Sequence, residues 1–397
     1  MCPRFSCAPA ALLLPVVVWR ASVLRRSHGS TASIPTLCGI SDLNVLNRLF
    51  AFLLCACASF SVCGDVVADL ESAMAESGKH HIAIPVESTD QHTILPVTVV
   101  TGLQPGPVLL VIAGIHGSEY APIVAGQRFG MALDFRTLTG TVMIVHMANL
   151  PAYLGRTVYT SPVDGLNLNR EFPGNAQGSL SQRIAYTLTN KLYPLADAVL
   201  DVHSGDGNED LRPYWTGYYA RAGSADVIKR SKSLAFAFGM QHVVPFEWEL
   251  GKSANAIWAG SAAVAMGIPS IDVEAGGSGV VDAQAVKLLT EGFNRTLSHL
   301  GMIRQRYPSP TGQRIIFDRQ SVKSPLSGSW VSLKAAGETV MAGELLGYVT
   351  DWHGRTVFEA RSPKDGLLML RLSAPPVSQG ETLVVVGSTK SHAGDAP

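Results

Sequence analysis

The sequence predicts an α/β protein: a mostly parallel or mixed sheet with helices on both faces, followed by a small C-terminal all-β, barrel-like domain. Three observations predict it. Continuous apolar runs such as PVLLVIAG, TVMIVHM and ADAVLDVH are what strands buried on both faces require. Segments of helical period alternate with these runs, the pattern of a sheet covered on both sides. Beyond residue 314 the helical period is lost, and short runs punctuated by glycine replace it.

Residues 1–64 read as a leader and not as fold. Ala10 to Trp19 and Leu49 to Cys63 are apolar, but both are shorter than the ~18 residues of a membrane-spanning helix. The second run is preceded by Arg48, has the centre FAFLL and ends in Ala56-Cys57-Ala58, which matches a signal peptidase site. The expectation is a signal peptide over residues 42–58 and export to the periplasm or beyond, with no membrane span in the mature chain. The alternative is a leader on a cytoplasmic enzyme.

A catalytic domain is expected over residues 79–303. HHIAIPV and ILPVTVV form two strands joined by a turn, PVLLVIAG follows, and Glu119 to Leu133 has helical spacing. TVMIVHM is the next strand, which ANLPAY ends. Residues 151–178 form a long loop rich in Pro, Gly and Asn, and loops of this length are uncommon unless functional. Ser179 and Gln182 make a capping box for a helix to about Leu192. ADAVLDVH, QHVVPF and IPSIDVEA are strands, and helices run over Ala225 to Phe238 and Asp282 to Leu300, the last ending at Gly301.

The β-domain, residues 314–388, repeats itself. SPLSG leads to AAGETVMAGELLGYV, and SPKDG leads to PPVSQGETLVVV. Such a duplication resembles the biotinyl/lipoyl-type β-barrel. The hairpin between the halves, TDWHGRT, lacks the lysine that those carriers modify, so the domain is read as a structural or substrate-shaping part.

Composition narrows the function. With 397 residues there is room for two to three domains at ~150 residues each. Thirty-one basic residues balance 31 acidic ones, which leaves no basic footprint for nucleic acid. All six cysteines lie at or before Cys63, so a metal bound by the rest of the chain must be held by nitrogen and oxygen.

Three strand ends carry the chemistry. AGIHGSEYAP breaks at Gly114 and presents His116 and Glu119, DVHSGDGNED presents His203, and IDVEAGG presents Glu274. Catalytic zinc takes three protein ligands and leaves a position for water, and two histidines with one carboxylate are one such set. Asp201 lies two positions before His203, so on a strand the two side chains share a face and Asp201 can hold the ligand in place. In NLNREFPG, Arg170 offers a fork that matches a substrate carboxylate, with Asn169 as a neighbouring donor; the plain alternative is a polar surface loop. Arg156 is either a surface charge or an electrophile near the metal. His146, His242 and His353 have no partners in the pattern.

At these residues the chain resembles the succinylglutamate desuccinylase/aspartoacylase family, the deacylase branch of the zinc carboxypeptidase-like fold. The ordered set HGSE, NLNR, DVHSG and VEAGG carries the resemblance over roughly Val108 to Gly277. It implies one zinc per chain on His116, Glu119 and His203, a catalytic Glu274, and carboxylate recognition by Asn169 and Arg170. It departs from the family at Asn149, which is followed by Leu150 and Pro151 where aspartoacylases have an Asn-Pro-Arg motif; Arg156 is the candidate replacement. The expected activity is hydrolysis of the amide bond of an N-acyl amino acid or related small amide bearing a carboxylate. The alternatives are a metallocarboxypeptidase acting on peptides, cell-wall peptides included, and a non-catalytic protein that binds an acidic ligand. The leader reading predicts a native N-terminus near Ser59, which mass spectrometry of the purified native protein checks; an intact Met1 would refute it.

Overall fold

Strand β3 (Gln104–Ala113) sits deep in the sheet because its alternate residues meet two different cores: Leu109 and Val111 pack on one side, Leu110 and Ile112 on the other. Around it the computed structural model describes residues 66–88, 91–249, 257–308 and 310–392. The expected leader lies outside the described residues. No helix among the described residues is long and apolar enough to cross a membrane.

Helix α1 (Val66–Ala75) precedes the expected start of the domain and buries Leu70 and Ala73, so the folded unit begins earlier than the sequence pattern indicated. Strands β1 (Gly78–Glu87) and β2 (His92–Thr101) pair antiparallel. After β3 come helix α2 (Tyr120–Ala132), strand β4 (Thr139–Val145) and a short helix α3 (Leu150–Gly155). Helix α4 (Leu180–Thr187) widens into a looser turn over Leu188–Leu192, so the regular helix stops short of the expected Leu192. Strands β5 (Ala198–His203), β6 (Glu209–Leu211) and β7 (Trp215–Arg221) lead to helix α5 (Ala225–Phe238) and strand β8 (His242–Glu249). Helix α6 (Ala259–Ala265), strand β9 (Ser270–Glu274) and helix α7 (Ala283–His299) complete this part.

The sheet runs β1-β2-β4-β3-β5-β9-β7-β8. Its centre, β4, β3, β5 and β9, is parallel, while β2 and β7 join it antiparallel. The expected mixed sheet with helices on both faces is therefore present. Helices α2, α5 and α7 cover one face, where Phe129 and Phe293 meet at 4.9 Å between ring centroids. Helices α1, α4 and α6 cover the other. Helices α5 and α7 are capped by side chains: Ser224 accepts from Val227 N at 3.3 Å, and Asp282 accepts from Gln284 N and Ala285 N at 2.8 and 2.9 Å, each satisfying N–H groups that a helix start leaves unpaired.

The C-terminal strands are β10 (Arg314–Lys323), β11 (Gly328–Ser332), β12 (Thr339–Val340), β13 (Leu345–Thr350), β14 (Thr356–Arg361), β15 (Gly366–Leu372), β16 (Pro376–Val377) and β17 (Thr382–Ser391). The repeat is visible in their turns. Ser324 and Ser362, at the head of the two halves, each donate to the carbonyl two residues on, at 2.6 and 2.7 Å. In AAGE, MAGE and SQGE the glutamate accepts from the N–H three positions back, at 2.7 to 2.8 Å.

The expected C-terminal β strands are present and divide between two sheets. Strands β14, β13, β11 and β16 form a sheet of their own, but β10, β17, β15 and β12 continue the main sheet because β10 pairs parallel with the free edge of β8. The polar stretch before residue 314 marks a change of texture and not a break in hydrogen bonding.

The long loop after α3 is fastened by Asp164, which accepts from Ser179 Oγ, Ser181 N and Ser181 Oγ at 2.8 to 2.9 Å and from Leu166 N at 3.2 Å. Burial alone would raise the Asp164 carboxyl, but these hydrogen bonds outweigh it and hold the carboxyl below its ordinary value. Asp164→Ala should lower unfolding stability by on the order of 1–2 kcal/mol, discounted for partial exposure, as a shift of the denaturant midpoint. The sign with pH follows from the lowered value: the contribution is present above pH ~4, the ordinary carboxylate value, and is lost as pH falls through the lower folded one.

Candidate functional site

The carboxyl ends of β3, β5 and β9 bring the predicted residues together, where ligands of open α/β sheets bind. Gly114 ends β3 at φ 70°, and a Cβ there would press on the Met147 backbone at 3.0 Å. At Gly117 a Cβ would stand 2.1 Å from the Ala152 carbonyl carbon, so only glycine lets this loop lie against α3. The loop thereby delivers His116 and then Glu119, the residue that opens α2. In the parallel ladder His203 of β5 is the register partner of Glu274 of β9.

Glu119 is the hub. Its Oε1 lies 2.7 Å from His116 Nδ1, and its Oε2 lies 2.9 Å from His203 Nδ1 and accepts from Ser204 N at 3.2 Å. The outer nitrogens have oxygen partners: His116 Nε2 lies 3.1 Å from Asn167 Oδ1, and His203 Nε2 lies 2.9 Å from Asp201 Oδ1. The acceptor at His116 Nε2 favours the tautomer that leaves its Nδ1 free to ligate. Ligand atoms from His116, Glu119 and His203 all lie within 4.8 Å of one another. The donor set, its convergence and its outer partners fit a metal ion.

The charged groups of the cluster shift one another. Burial would raise Glu119, yet His203 and His116 beside it bring its carboxyl down to about 2. Burial would lower His203, but Asp201 and Glu119 raise it well above the ordinary imidazole value, and Glu119 raises His116 in the same way. Glu274 differs. Burial pushes its carboxyl well up, Glu119 and Glu209 add to this, and only His203 pulls it down. Its Oε2 is shielded from solvent and has no hydrogen-bond partner among the described residues.

Asn169 and Arg170 follow on the tight turn Leu168–Arg170. Asn169 Oδ1 accepts from Ala259 N at 2.9 Å, and its Nδ2 lies 3.5 Å from His203 Nε2. Arg170 Nη1 donates to Asn169 O at 2.8 Å. Both residues line a cavity of about 410 Å³ together with His116, His203 and Glu274. A larger groove of about 720 Å³ lies at the other end of β3, around Gln104 and Arg136, away from the cluster.

Arg156 is not brought into this group. It caps α3 in the left-handed region at φ 53°, is exposed, and does not line the cavity. The turn at the end of α3 leaves it at the surface, so of the two readings the geometry favours a surface charge.

Sequence reasoning missed several neighbours. Asp206 accepts from Ser118 Oγ and from Tyr159 N (2.8 Å), and Glu209 accepts from Tyr159 OH at 2.9 Å. Tyr159, at φ 59°, stands edge-on to His116 with centroids 6.3 Å apart. Both acids lie in DVHSGDGNED, so the signal was on the same fragment as His203. One cavity wall is aromatic, with Trp215, Tyr219, Phe246, Trp248 and Trp258, and Arg319 comes from β10. WTGYYA and FEWE were visible as aromatic clusters; nothing local marked Arg319.

The ligand assignment is tested on the double variant His116→Ala/His203→Ala. It should lose the bound metal, read by elemental analysis, while far-UV circular dichroism stays close to the parent; full metal occupancy would sink the assignment.

A model of the succinylglutamate desuccinylase/aspartoacylase catalytic domain matches residues 105–300. The chain is 32% identical over 316 residues to the N-alpha-acetyl-L-2,4-diaminobutyric acid deacetylase of Halomonas elongata, an alignment that covers 78% of this chain and 90% of that one. Among solved structures it resembles a succinylglutamate desuccinylase/aspartoacylase from Rhodobacter sphaeroides, with TM-score 0.71, 26% identity, and coverage of 80% of this chain and 98% of the other. It also resembles the product-bound ectoine utilization protein EutE (DoeB) from Ruegeria pomeroyi, with TM-score 0.72, 25% identity, and coverage of 79% and 97%. With the ordered motifs gathered at one end of the sheet and a relative matched along nearly its whole length, the chain belongs to the succinylglutamate desuccinylase/aspartoacylase family and is an amide-bond hydrolase of the deacylase type.

Proposed function

We propose that the protein is a zinc-dependent deacylase that hydrolyses the amide bond of an N-acyl amino acid. The observation that carries the reading is Glu274: a shielded carboxyl with an unpartnered Oε2, beside a His–Glu–His group but not needed to complete it. A pure binding protein has no use for a base there. Nitrogen and oxygen donors suit zinc, and zinc held by His116, Glu119 and His203 would bring the pKa of a water toward ~7 and polarise the amide carbonyl. Glu274 takes the water's proton and returns it to the leaving amine. Arg170 and Asn169 hold the substrate carboxylate, and the aromatic wall excludes water from the reacting bond.

The cavity volume of about 410 Å³ suits a small molecule and supports a deacylase over a carboxypeptidase acting on extended peptides. The Halomonas elongata relative is named for removing an acetyl group from the α-amine of an amino acid, so N-acetyl amino acids are the first substrates to test. Export is part of the proposal and rests on the sequence of residues 42–58.

The zinc-loaded full chain should release carboxylate from N-acetyl amino acids. Glu274→Gln keeps shape but cannot accept the proton, so it should retain zinc and substrate binding while turnover falls by ~10²-fold or more. Near-native turnover, or loss of zinc, would rule the mechanism out.

A further inference from the structure

Tyr159 is held in a backbone conformation that its own side chain disfavours. Its φ is 59°, in the left-handed region that bulky residues rarely enter, and such strain persists only where the surroundings fix it, often beside a functional site. Here two acids from the chain after β5 fix it. The backbone N–H of Tyr159 donates to Asp206 Oδ2 at 2.8 Å, and its hydroxyl donates to Glu209 Oε1 at 2.9 Å. Main chain and ring tip are thus tied to different carboxylates, which leaves the ring between them little freedom.

That ring meets a metal-ligand candidate. Tyr159 and His116 stand at an interplanar angle of 85° with centroids 6.3 Å apart. The two nitrogens of His116 have partners in Glu119 Oε1 and Asn167 Oδ1. Partners at ring nitrogens fix where an imidazole sits but resist its tilt only weakly, whereas a ring packed against it resists tilt directly.

The acids are anchored in their turn. Glu209 Oε2 accepts from Asp206 N at 3.2 Å, and Glu209 N donates to Asp206 O at 2.9 Å. Glu209 O accepts from Ser278 N at 2.7 Å, on the chain that follows Glu274. Asp206, fully buried, accepts from Ser118 Oγ, on the loop between His116 and Glu119. The support for the Tyr159 ring is therefore built from the same segments that carry the cluster.

We propose that Tyr159 and Glu209 are positioning residues of the metal site: Glu209 holds the Tyr159 hydroxyl, and the Tyr159 ring sets the tilt of the His116 imidazole. Neither lines the cavity, so they act through His116 and not on the substrate. The inference rests on the reading above that His116 ligates zinc.

The test uses the full chain with Tyr159→Phe, which keeps the ring and drops the hydroxyl, with Glu209→Ala, and with both changes together. Zinc affinity is read by competition with a chelator, and ligand geometry by the visible absorption of the cobalt-loaded chain. Tyr159→Phe should bind zinc about tenfold more weakly, the lower end of the loss when an outer partner of a metal-ligating histidine is removed, and should shift the cobalt bands. The double variant should bind zinc as Glu209→Ala does, because the acid acts through the hydroxyl; losses that multiply would break that link. Should Glu209→Ala not fold, Tyr159→Phe decides alone by the same two measurements. If Tyr159→Phe lowers the melting temperature but leaves zinc affinity and the cobalt spectrum as in the parent, Tyr159 only fastens its loop, and the inference fails while the deacylase reading stands. A parent chain that binds no zinc overturns both.

Discussion

The site depends on one buried carboxylate. Glu119, only 2% exposed, would be costly to bury alone. It is tolerated because each oxygen lies within 3 Å of an imidazole Nδ1 and one also accepts from a backbone N–H. The arrangement holds only if the loop after β3 and the end of β5 lie at a fixed separation, which the parallel pairing of Leu109 to Ala113 with Ala198 to Val202 sets. Take the carboxylate away and the half-buried imidazole of His116 faces the buried one of His203, 5.4 Å between ring centroids.

The loops around the cluster are built on the same rule, each fastened by a carboxylate that satisfies several donors. Asp164 closes the loop before α4, and Asp206 joins the His116 loop, the Tyr159 turn and the chain after β5. Burial raises both Asp206 and Glu209, a cost that their hydrogen bonds offset in part. The loop is long but fastened: Tyr159 N and Leu166 N donate to carboxylates, and the N–H groups of Ser161, Gly165 and Arg170 donate to carbonyls within the loop, which holds Asn167 to Arg170 where they meet His116 and His203.

How much of this was legible depends on how local the signal was. Strands β3, β5 and β9 were readable because burial on both faces demands continuous apolar runs, and α5 and α7 because each buries one face and so keeps a helical period. Helix α6 was missed: AGSAAVA is made of small residues, nearly all buried, so it has no polar face from which to read a helical period. Strand β7, WTGYYAR, mixes a glycine with large aromatics and gave no clear alternation. The metal-ligand candidates were legible because each sits at the break of a readable strand. Arg156 was drawn toward the site by its loop and by the arginine missing after Asn149, and the left-handed turn at φ 53° that leaves it at the surface has no mark in composition. Arg319 was invisible for the opposite reason, since its place depends on a bulge and on a strand pairing between distant parts of the chain.

That pairing changes what the C-terminal strands are for. Strand β8 carries Phe246, Glu247 and Trp248 into the cavity wall, and without β10 it would be the bare edge of the sheet, with unpaired backbone groups open to other chains. Strand β10 covers that edge and β17 covers β10 in turn. The register of β8 is thus set by β7 along most of its length and by β10 at its start, His242 and Val243. The duplicated segment, although it resembles a carrier domain in sequence, is divided: β10, β17, β15 and β12 extend the sheet on which the cavity is built, and β14, β13, β11 and β16 form a sheet of their own.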